Sequence, residues 1–220
     1  MTCLLCGQHL KSNLTFSNLL LLKKEETSVC LTCSSSFEMI GEEHCPNCYK
    51  KGLSTSCKDC QVWCKEGIDV NHQAIFVYNQ AMKDFFSRYK FNGDYILRKV
   101  FASILRDFLI NYKDYHFLLI PLSSERYAKR GFNQVAGLIE ATGLSYENLL
   151  EKREEKASSS KTRSERFATE LPFFIKDGLT IPKKILLIDD IYTTGVTVNR
   201  VKRMLEKAGA GEVRTFSLVR

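Results

Sequence analysis

What this chain lacks narrows the possibilities first. No run of 18 apolar residues occurs among its 220, so no transmembrane helix is expected. The opening MTCLLCG has neither a basic stretch nor a long apolar core, so no secretory leader is expected. No glycine is followed by lysine anywhere, which removes the phosphate loop of the P-loop nucleotide triphosphatases. Disulfide-scaffold spacing is missing too. There are nine cysteines, but eight of them fall in C-x-x-C pairs, which argues for metal in a reducing compartment, the cytoplasm.

Those pairs are Cys3/Cys6, Cys30/Cys33, Cys45/Cys48 and Cys57/Cys60. Zn²⁺ takes four ligands in a tetrahedron and each pair supplies two, so four pairs make two closed Cys₄ sites of the structural kind. Sequential pairing joins Cys3, Cys6, Cys30 and Cys33, then Cys45, Cys48, Cys57 and Cys60; an interleaved pairing is the alternative. The apolar content of residues 1–66 is poor, so metal binding is expected to drive folding there. Cys64 is left over, beside Trp63, as a spare thiol. His44 adjoins Cys45, but the cysteines already suffice as ligands.

Charge divides at the same boundary. Residues 1–66 hold seven lysines and seven acidic residues, so the whole formal +7 lies in residues 67–220. A basic domain suits polyphosphates and nucleic acid alike, and charge does not choose between them.

The most informative stretch is Ile185–Thr197, ILLIDDIYTTGVT. Its apolar run reads as a strand buried on both faces, as in a parallel sheet. Val198, Val201, Leu205 and Ala208 then share one helical face. Asp189 and Asp190 therefore stand at the carboxyl end of a strand, and Thr193–Thr197 form the turn into a helix. Ligands bind there in open α/β sheets. A helix N-terminus favours phosphate, Gly195 permits close approach, and two carboxylates suit a vicinal diol. The features describe a ribose 5-phosphate pocket. A Walker-B acid pair is the competing reading, and it lacks its Gly-Lys loop.

Upstream, Ala74–Tyr78 reads as a first strand and Asn79–Tyr89 as a helix. The turn Phe91-Asn92-Gly93-Asp94 follows, with Asp94 as an expected N-cap. Ile96, Leu97, Val100, Phe101, Ile104, Leu105, Phe108 and Leu109 make a core stripe. Phe117–Ile120 reads as a second strand. It opens at Pro121 into a loop whose Arg126, Lys129 and Arg130 make a second anion site before a helix from about Phe132 to Thr142. Lys90 is placed either against a ligand or on the surface. Residues 151–166 are charged and serine-rich, the composition of a flexible segment. Gly209 and Gly211 end the last helix, and Val213–Val219 is the last strand. Tyr89 and Phe91 beside Arg88 and Lys90, and Tyr127 and Phe132 beside Arg126 and Arg130, are candidates for stacking on bases, with burial expected for Phe91 and Phe132.

The acid-pair segment DDIYTTG resembles the phosphoribosyl pyrophosphate (PRPP) signature of type I phosphoribosyltransferases. With the cysteine pairs, YKFNGD (Tyr89–Asp94) and RGFNQ (Arg130–Gln134), the whole chain resembles the ComF family of late-competence proteins. The resemblance implies an α/β fold, an open and mostly parallel sheet flanked by helices over residues 67–220, behind a double zinc ribbon over residues 1–66. It implies that Asp189 and Asp190 hold the ribose hydroxyls of PRPP, and that Thr193, Thr194, Gly195 and Thr197 hold its 5′-phosphate. Arg126 and Arg130 would meet the pyrophosphate and serve catalysis with the acid pair, and Mg²⁺ would bridge diol and pyrophosphate. A loop closing over PRPP would offer Lys161, Arg163 and Arg166; the Gln-x-x-Leu pattern of many relatives is replaced there by SSSKTRSER. No hood for a nucleobase follows Val219, so a donor site stands without a recognisable acceptor site. In function, the resemblance implies a cytoplasmic accessory to DNA uptake, recruited to the inner face of the membrane. It would handle single-stranded DNA beside the ComFA helicase-like ATPase, with the zinc module as docking surface. The alternative is an active phosphoribosyltransferase with an unidentified acceptor.

Overall fold

Short runs rich in isoleucine, leucine, valine and phenylalanine alternate with helical stripes and build a four-stranded, all-parallel sheet. The computed structural model describes residues 2–10, 28–153 and 172–220. Its sheet contains β1 (His72–Phe76), β2 (His116–Leu119), β5 (Lys184–Ile191) and β6 (Glu212–Val219), in the order β1-β6-β5-β2. Two short strands, β3 (Leu150–Lys152) and β4 (Phe173–Ile175), form a separate antiparallel pair.

β5 is central, and its side chains alternate between two buried faces. Leu186 and Ile188 join one core with α3 (Gln80–Phe91), α4 (Ala102–Leu109) and α6 (Gln134–Thr142). Ile185 and Leu187 join the other, with α7 (Val196–Lys207) and the second group of cysteines. Burial on both faces is why these strands carry continuous apolar runs rather than alternating ones. Both sheet edges are covered, as exposed strand edges require. Met39 bridges Phe76 at the β1 edge, and Glu147 bridges Leu118 at the β2 edge.

Several local expectations shift. The first strand lies at His72–Phe76, two residues earlier than the pattern suggests. Asn79 caps α3, its side chain accepting from the Met82 N–H. Asp94 makes no side-chain cap. Its carboxylate takes the Arg88 guanidinium at 2.7 Å instead, and a 3₁₀ turn (Tyr95–Lys99) precedes α4. The basic cluster expected in a loop sits on a helix, α5 (Ser124–Arg130), capped by Ser123. The helix expected from Phe132 begins at Gln134. Ala208 lies exposed at the end of α7 rather than on its buried face. Of the charged segment, Glu151 and Lys152 belong to β3; Lys161, Arg163 and Arg166 lie outside the described residues.

Candidate functional site

At the carboxyl ends of the parallel strands RGFNQ, YKFNGD and the acid-pair segment come together. RGFNQ is a helix-to-helix link in which each residue has a task. Arg130 ends α5, and Gly131 takes the left-handed conformation (φ 77°) that terminates it. Phe132 packs against Tyr89 and Tyr95. Asn133 caps α6 with hydrogen bonds from the Val135 and Ala136 N–H groups, and its amide donates to the Ile120 carbonyl. Gln134 accepts from Arg130 Nη1 at 2.8 Å, and its backbone carbonyl accepts from the Tyr89 hydroxyl at 2.9 Å. RGFNQ and YKFNGD are therefore one structure, joined through Tyr89.

Lys90 faces the acid pair. Its Nζ lies 2.5 Å from Asp190 Oδ2, with both side chains about nine-tenths buried. The contact is ionic, without hydrogen-bond alignment. Phe86 backs the ammonium from 4.3 Å. Asp189 Oδ1 accepts from the Asp190 N–H at 2.9 Å. Burial, reinforced by the Asp190 charge, pushes the Asp189 carboxyl up to about 8. Burial lowers Arg130 from its usual value, opposed by the attraction of Asp190 and helped by Arg126. Arg130 thus shares the electrostatic neighbourhood of the acid pair, while Arg126, one turn earlier on the same helix, is exposed.

After Ile191 the chain turns through Tyr192, Thr193 and Thr194 to Gly195, whose φ of 78° only glycine adopts freely. A Cβ there would lie 2.1 Å from the Tyr192 hydroxyl. The first amides of α7 have no helical partner and open toward the loop. Thr193 is exposed, and Thr194 and Thr197 are partly so. Among the aromatic candidates, Tyr89 and Phe91 go against expectation, while Tyr127 and Phe132 follow it. Tyr89 is fully buried, whereas Phe91 is 68% and Tyr127 55% exposed. Arg130 lies over the Phe91 ring at 5.5 Å.

The cysteines gather in the sequential pairing. Cys3, Cys6, Cys30 and Cys33 form one cluster and Cys45, Cys48, Cys57 and Cys60 the other, all sulfurs in each within 4.8 Å. In both, the first pair lies on a knuckle and the second begins a helix. Cys30 caps α1 (Leu31–Ser34), its sulfur accepting from the Cys33 N–H, and Cys57 stands at the N-terminus of α2 (Lys58–Lys65). Gly7 and Tyr49, which follow the knuckles, take the left-handed region (φ 74° and 59°). Sulfur separations of 3.6–3.9 Å match the edge of a tetrahedron with zinc–sulfur bonds of about 2.3 Å, roughly 3.8 Å. The Cys60 thiol and, against burial, the Arg220 guanidinium pull Cys48 down to about 5, toward the thiolate a metal needs. Two cysteine tetrads can therefore hold zinc. His44 is no ligand. It stacks on Tyr49 and bonds the Gly41 carbonyl.

The second tetrad is part of the sheet's own core. Cys45, Cys48, Cys57, Cys60 and Trp63 pack with Ile68, Leu187, Tyr192 and Val201. The first tetrad docks on the end of α3, where Arg88 Nη1 donates to the Leu5 carbonyl at 2.8 Å. Sequence reasoning missed Trp63, Arg220 and His72 as parts of this region, since each lacks a local pattern. His72 is buried and held neutral by desolvation, with Thr215 and Ser217 on its two nitrogens and the Tyr192 ring tilted against it at 4.0 Å.

A parallel sheet with an acid pair and a glycine-bearing turn at its carboxyl edge defines a phosphoribosyltransferase-type domain. The family model described as "Phosphoribosyl transferase domain" matches residues 97–220. The Competence protein ComFC of Streptococcus pneumoniae is 70% identical over 220 residues, covering all of both chains. That of Bacillus subtilis is 36% identical over 227 residues, covering 99% of this chain and 94% of its own. A solved structure of the allosteric regulatory enzyme of purine biosynthesis aligns with 54% of this chain at 24% identity and a TM-score of 0.34; this chain spans 25% of that enzyme's length. The chain belongs to the ComFC family of competence proteins.

Proposed function

We propose that this protein serves DNA uptake in natural transformation and binds a phosphorylated ribose of the PRPP class at the end of β5. One observation carries the reading. Lys90 from α3 pairs with Asp190 on β5, and Arg130 on α5 lies close enough for the charge of Asp190 to act on it. Asp189 and Asp190 would accept from the ribose hydroxyls. Thr193, Thr194, Gly195 and Thr197 would hold the 5′-phosphate, and Arg126 and Arg130 the pyrophosphate. Hard carboxylate oxygens suit Mg²⁺. Asp189 and Asp190 would be the protein groups beside such an ion, which would supply charge neutralisation for the pyrophosphate. Two structural zinc ions would complete the tetrads of a cysteine-rich module over residues 1–66, beside the phosphoribosyltransferase domain of residues 67–220.

Single-stranded DNA would run past the exposed rings of Phe91 and Tyr127, whose neighbours Arg126, Lys129 and Arg130 suit phosphates. The ATPase partner would be of the ComFA type, met through the cysteine-rich module. The thiol-based metal sites suit the reducing cytoplasm, and an uptake complex would bring the protein to the inner face of the membrane. Among the described residues no helix is long and apolar enough to cross a membrane. Calorimetric titration with PRPP and Mg²⁺ tests the site. Binding is expected in the wild type and lost in Asp190→Asn, and no binding to the wild type would overturn the reading. Single-strand affinity should fall steeply with salt.

The Lys90–Asp190 pair with Arg130 nearby favours a second reading, an active transferase. An acceptor would form its bond to C1 as the C1–oxygen bond to pyrophosphate breaks. Arg130 and Arg126 would take up the leaving group's charge, and positioning would supply much of the rate. Release of pyrophosphate with any base in a panel would establish it; release with none would leave a binding protein.

A further inference from the structure

Arg220 sits where the second tetrad meets the phosphate loop. Its Nη1 donates to the Thr193 carbonyl at 2.6 Å, and its Nη2 to Cys48 Sγ at 3.3 Å. The same nitrogen lies 3.7 Å from Asp59, which directly precedes Cys60 in sequence. The guanidinium covers the Tyr192 ring at 4.9 Å, and the side chain is 8% exposed. Its backbone is pinned as well, donating to the Phe76 carbonyl at 2.9 Å. From the same tetrad, Trp63 donates Nε1–H to the next carbonyl, that of Thr194, at 2.9 Å and is 2% exposed. Trp63 belongs to α2, the helix that opens at Cys57 and carries Cys60.

Two consecutive carbonyls of the loop are thus drawn toward the tetrad. A trans peptide points its N–H opposite to its C=O. Holding the Thr193 and Thr194 carbonyls on the tetrad side turns the N–H groups of Thr194 and Gly195 the other way. Successive amides aimed together make an anion-binding concavity. The first tetrad docks elsewhere, on α3 through Arg88.

We infer that Arg220 and Trp63 are positioning residues for the phosphate loop, and that metal loading of the second tetrad sets how tightly this loop holds a phosphate. The inference rests on the loop's reading as a phosphosugar site. The tetrad is then more than a folding staple. It is the far support of the loop's backbone, and its four sulfurs fix Cys48, Asp59 and Trp63 in one place.

The test uses the full chain and two readouts. One is hydrogen exchange at the amides of Thr194 to Thr197 without ligand; the other is PRPP affinity with Mg²⁺ by calorimetry. Trp63→Phe keeps an aromatic ring and removes the donor; Arg220→Gln removes the charge-assisted bridge. Each is expected to quicken exchange in the loop and weaken PRPP about tenfold, the value of one such hydrogen bond. Zinc content should stay at the wild-type level in both. Arg214→Gln, on the preceding strand but paired with Glu212, should change neither readout. Stripping zinc from the wild type should quicken loop exchange, and reloading should restore it. Unchanged exchange in both variants overturns the inference, whatever the ligand does. Quickened exchange with wild-type PRPP affinity overturns its link to the ligand. A wild type that binds no PRPP overturns the proposed function, while exchange still decides whether the tetrad holds the loop. Should Arg220→Gln fail to fold, exchange in Trp63→Phe and in the zinc-stripped wild type decides between the outcomes.

Discussion

Asp189 and Asp190 are neighbours in the chain, but burial governs the first and the Lys90 ammonium meets the second. Burial, with Asp190 next in importance, raises Asp189 to about 8 from its ordinary 3.8. Because the folded value is the higher one, the stability this group contributes is complete below the unfolded value and is lost as pH rises through 8. Asp189→Asn is therefore expected to raise the melting temperature at pH 9, by about 2–4 °C for each kcal/mol relieved, and to leave it little changed at pH 4. A ligand diol calls for the carboxylate, so binding near pH 7 should release a proton. Calorimetry in buffers of different ionisation heat would read that release, and a heat independent of buffer would refute it. Lys90 has the opposite role. Removing it takes away the cation in direct contact with the buried Asp190, so Lys90→Met should cost about 3–5 kcal/mol in urea unfolding. A smaller loss would mean that water reaches the carboxylate. The local pattern marked Asp189 and Asp190 plainly. It left Lys90 undecided, since its partner lies 100 positions away.

At the scale of elements, the strand-to-helix turns hold the site. Gly195→Ala would force a side chain at positive φ into the Tyr192 hydroxyl and the Asn199 amide, 2.1 and 2.7 Å from the new carbon. A loss on the order of 1–3 kcal/mol is expected, with phosphosugar binding lost alongside. Thermal unfolding and calorimetry of one sample would check both. Asn133→Ala should cost about 1 kcal/mol through the cap of α6, and more if the bond to the Ile120 carbonyl steadies the end of β2. The long, buried elements were legible beforehand: β5 and the α3 helix appear close to where they were read, and the α7 stripe holds at Val198, Val201 and Leu205. The antiparallel β3–β4 pair was not, because three-residue strands show no period. Asp94 misled because a cap residue and an ion-pair partner look alike in sequence; Arg88, six residues earlier, takes it.

For the whole molecule, the two tetrads brace different parts of one body. The first is open to water at Cys6, and the second is buried throughout. A chelator should therefore reach the first before the second, and only the second loss should disturb the sheet's core. The single tryptophan, Trp63, lies inside that second contact. Its emission should hold steady through the first step and shift to the red in the second. A red shift already at the first would show that the tetrads act as one unit. The charge step between the cysteine-rich part and the basic domain remains a property of composition. Its use in docking depends on which faces the fold leaves open.

By itself, the sequence determined what is local: four cysteine pairs and their metal arithmetic, a twice-buried strand ending in two carboxylates, and a glycine turn opening a helix. Spacing and apolar run length are enough for these, because the interacting residues are neighbours in the chain. The tertiary structure alone decided which distant groups meet: Lys90 with Asp190, Tyr89 with Gln134, and Trp63 and Arg220 with the two carbonyls before Gly195. It also brought Phe91 to the surface and Tyr89 into the core. These contacts span from 27 to 131 positions, and no periodicity survives over such separations. Packing of the whole sheet, with its cysteine-rich brace, chose them.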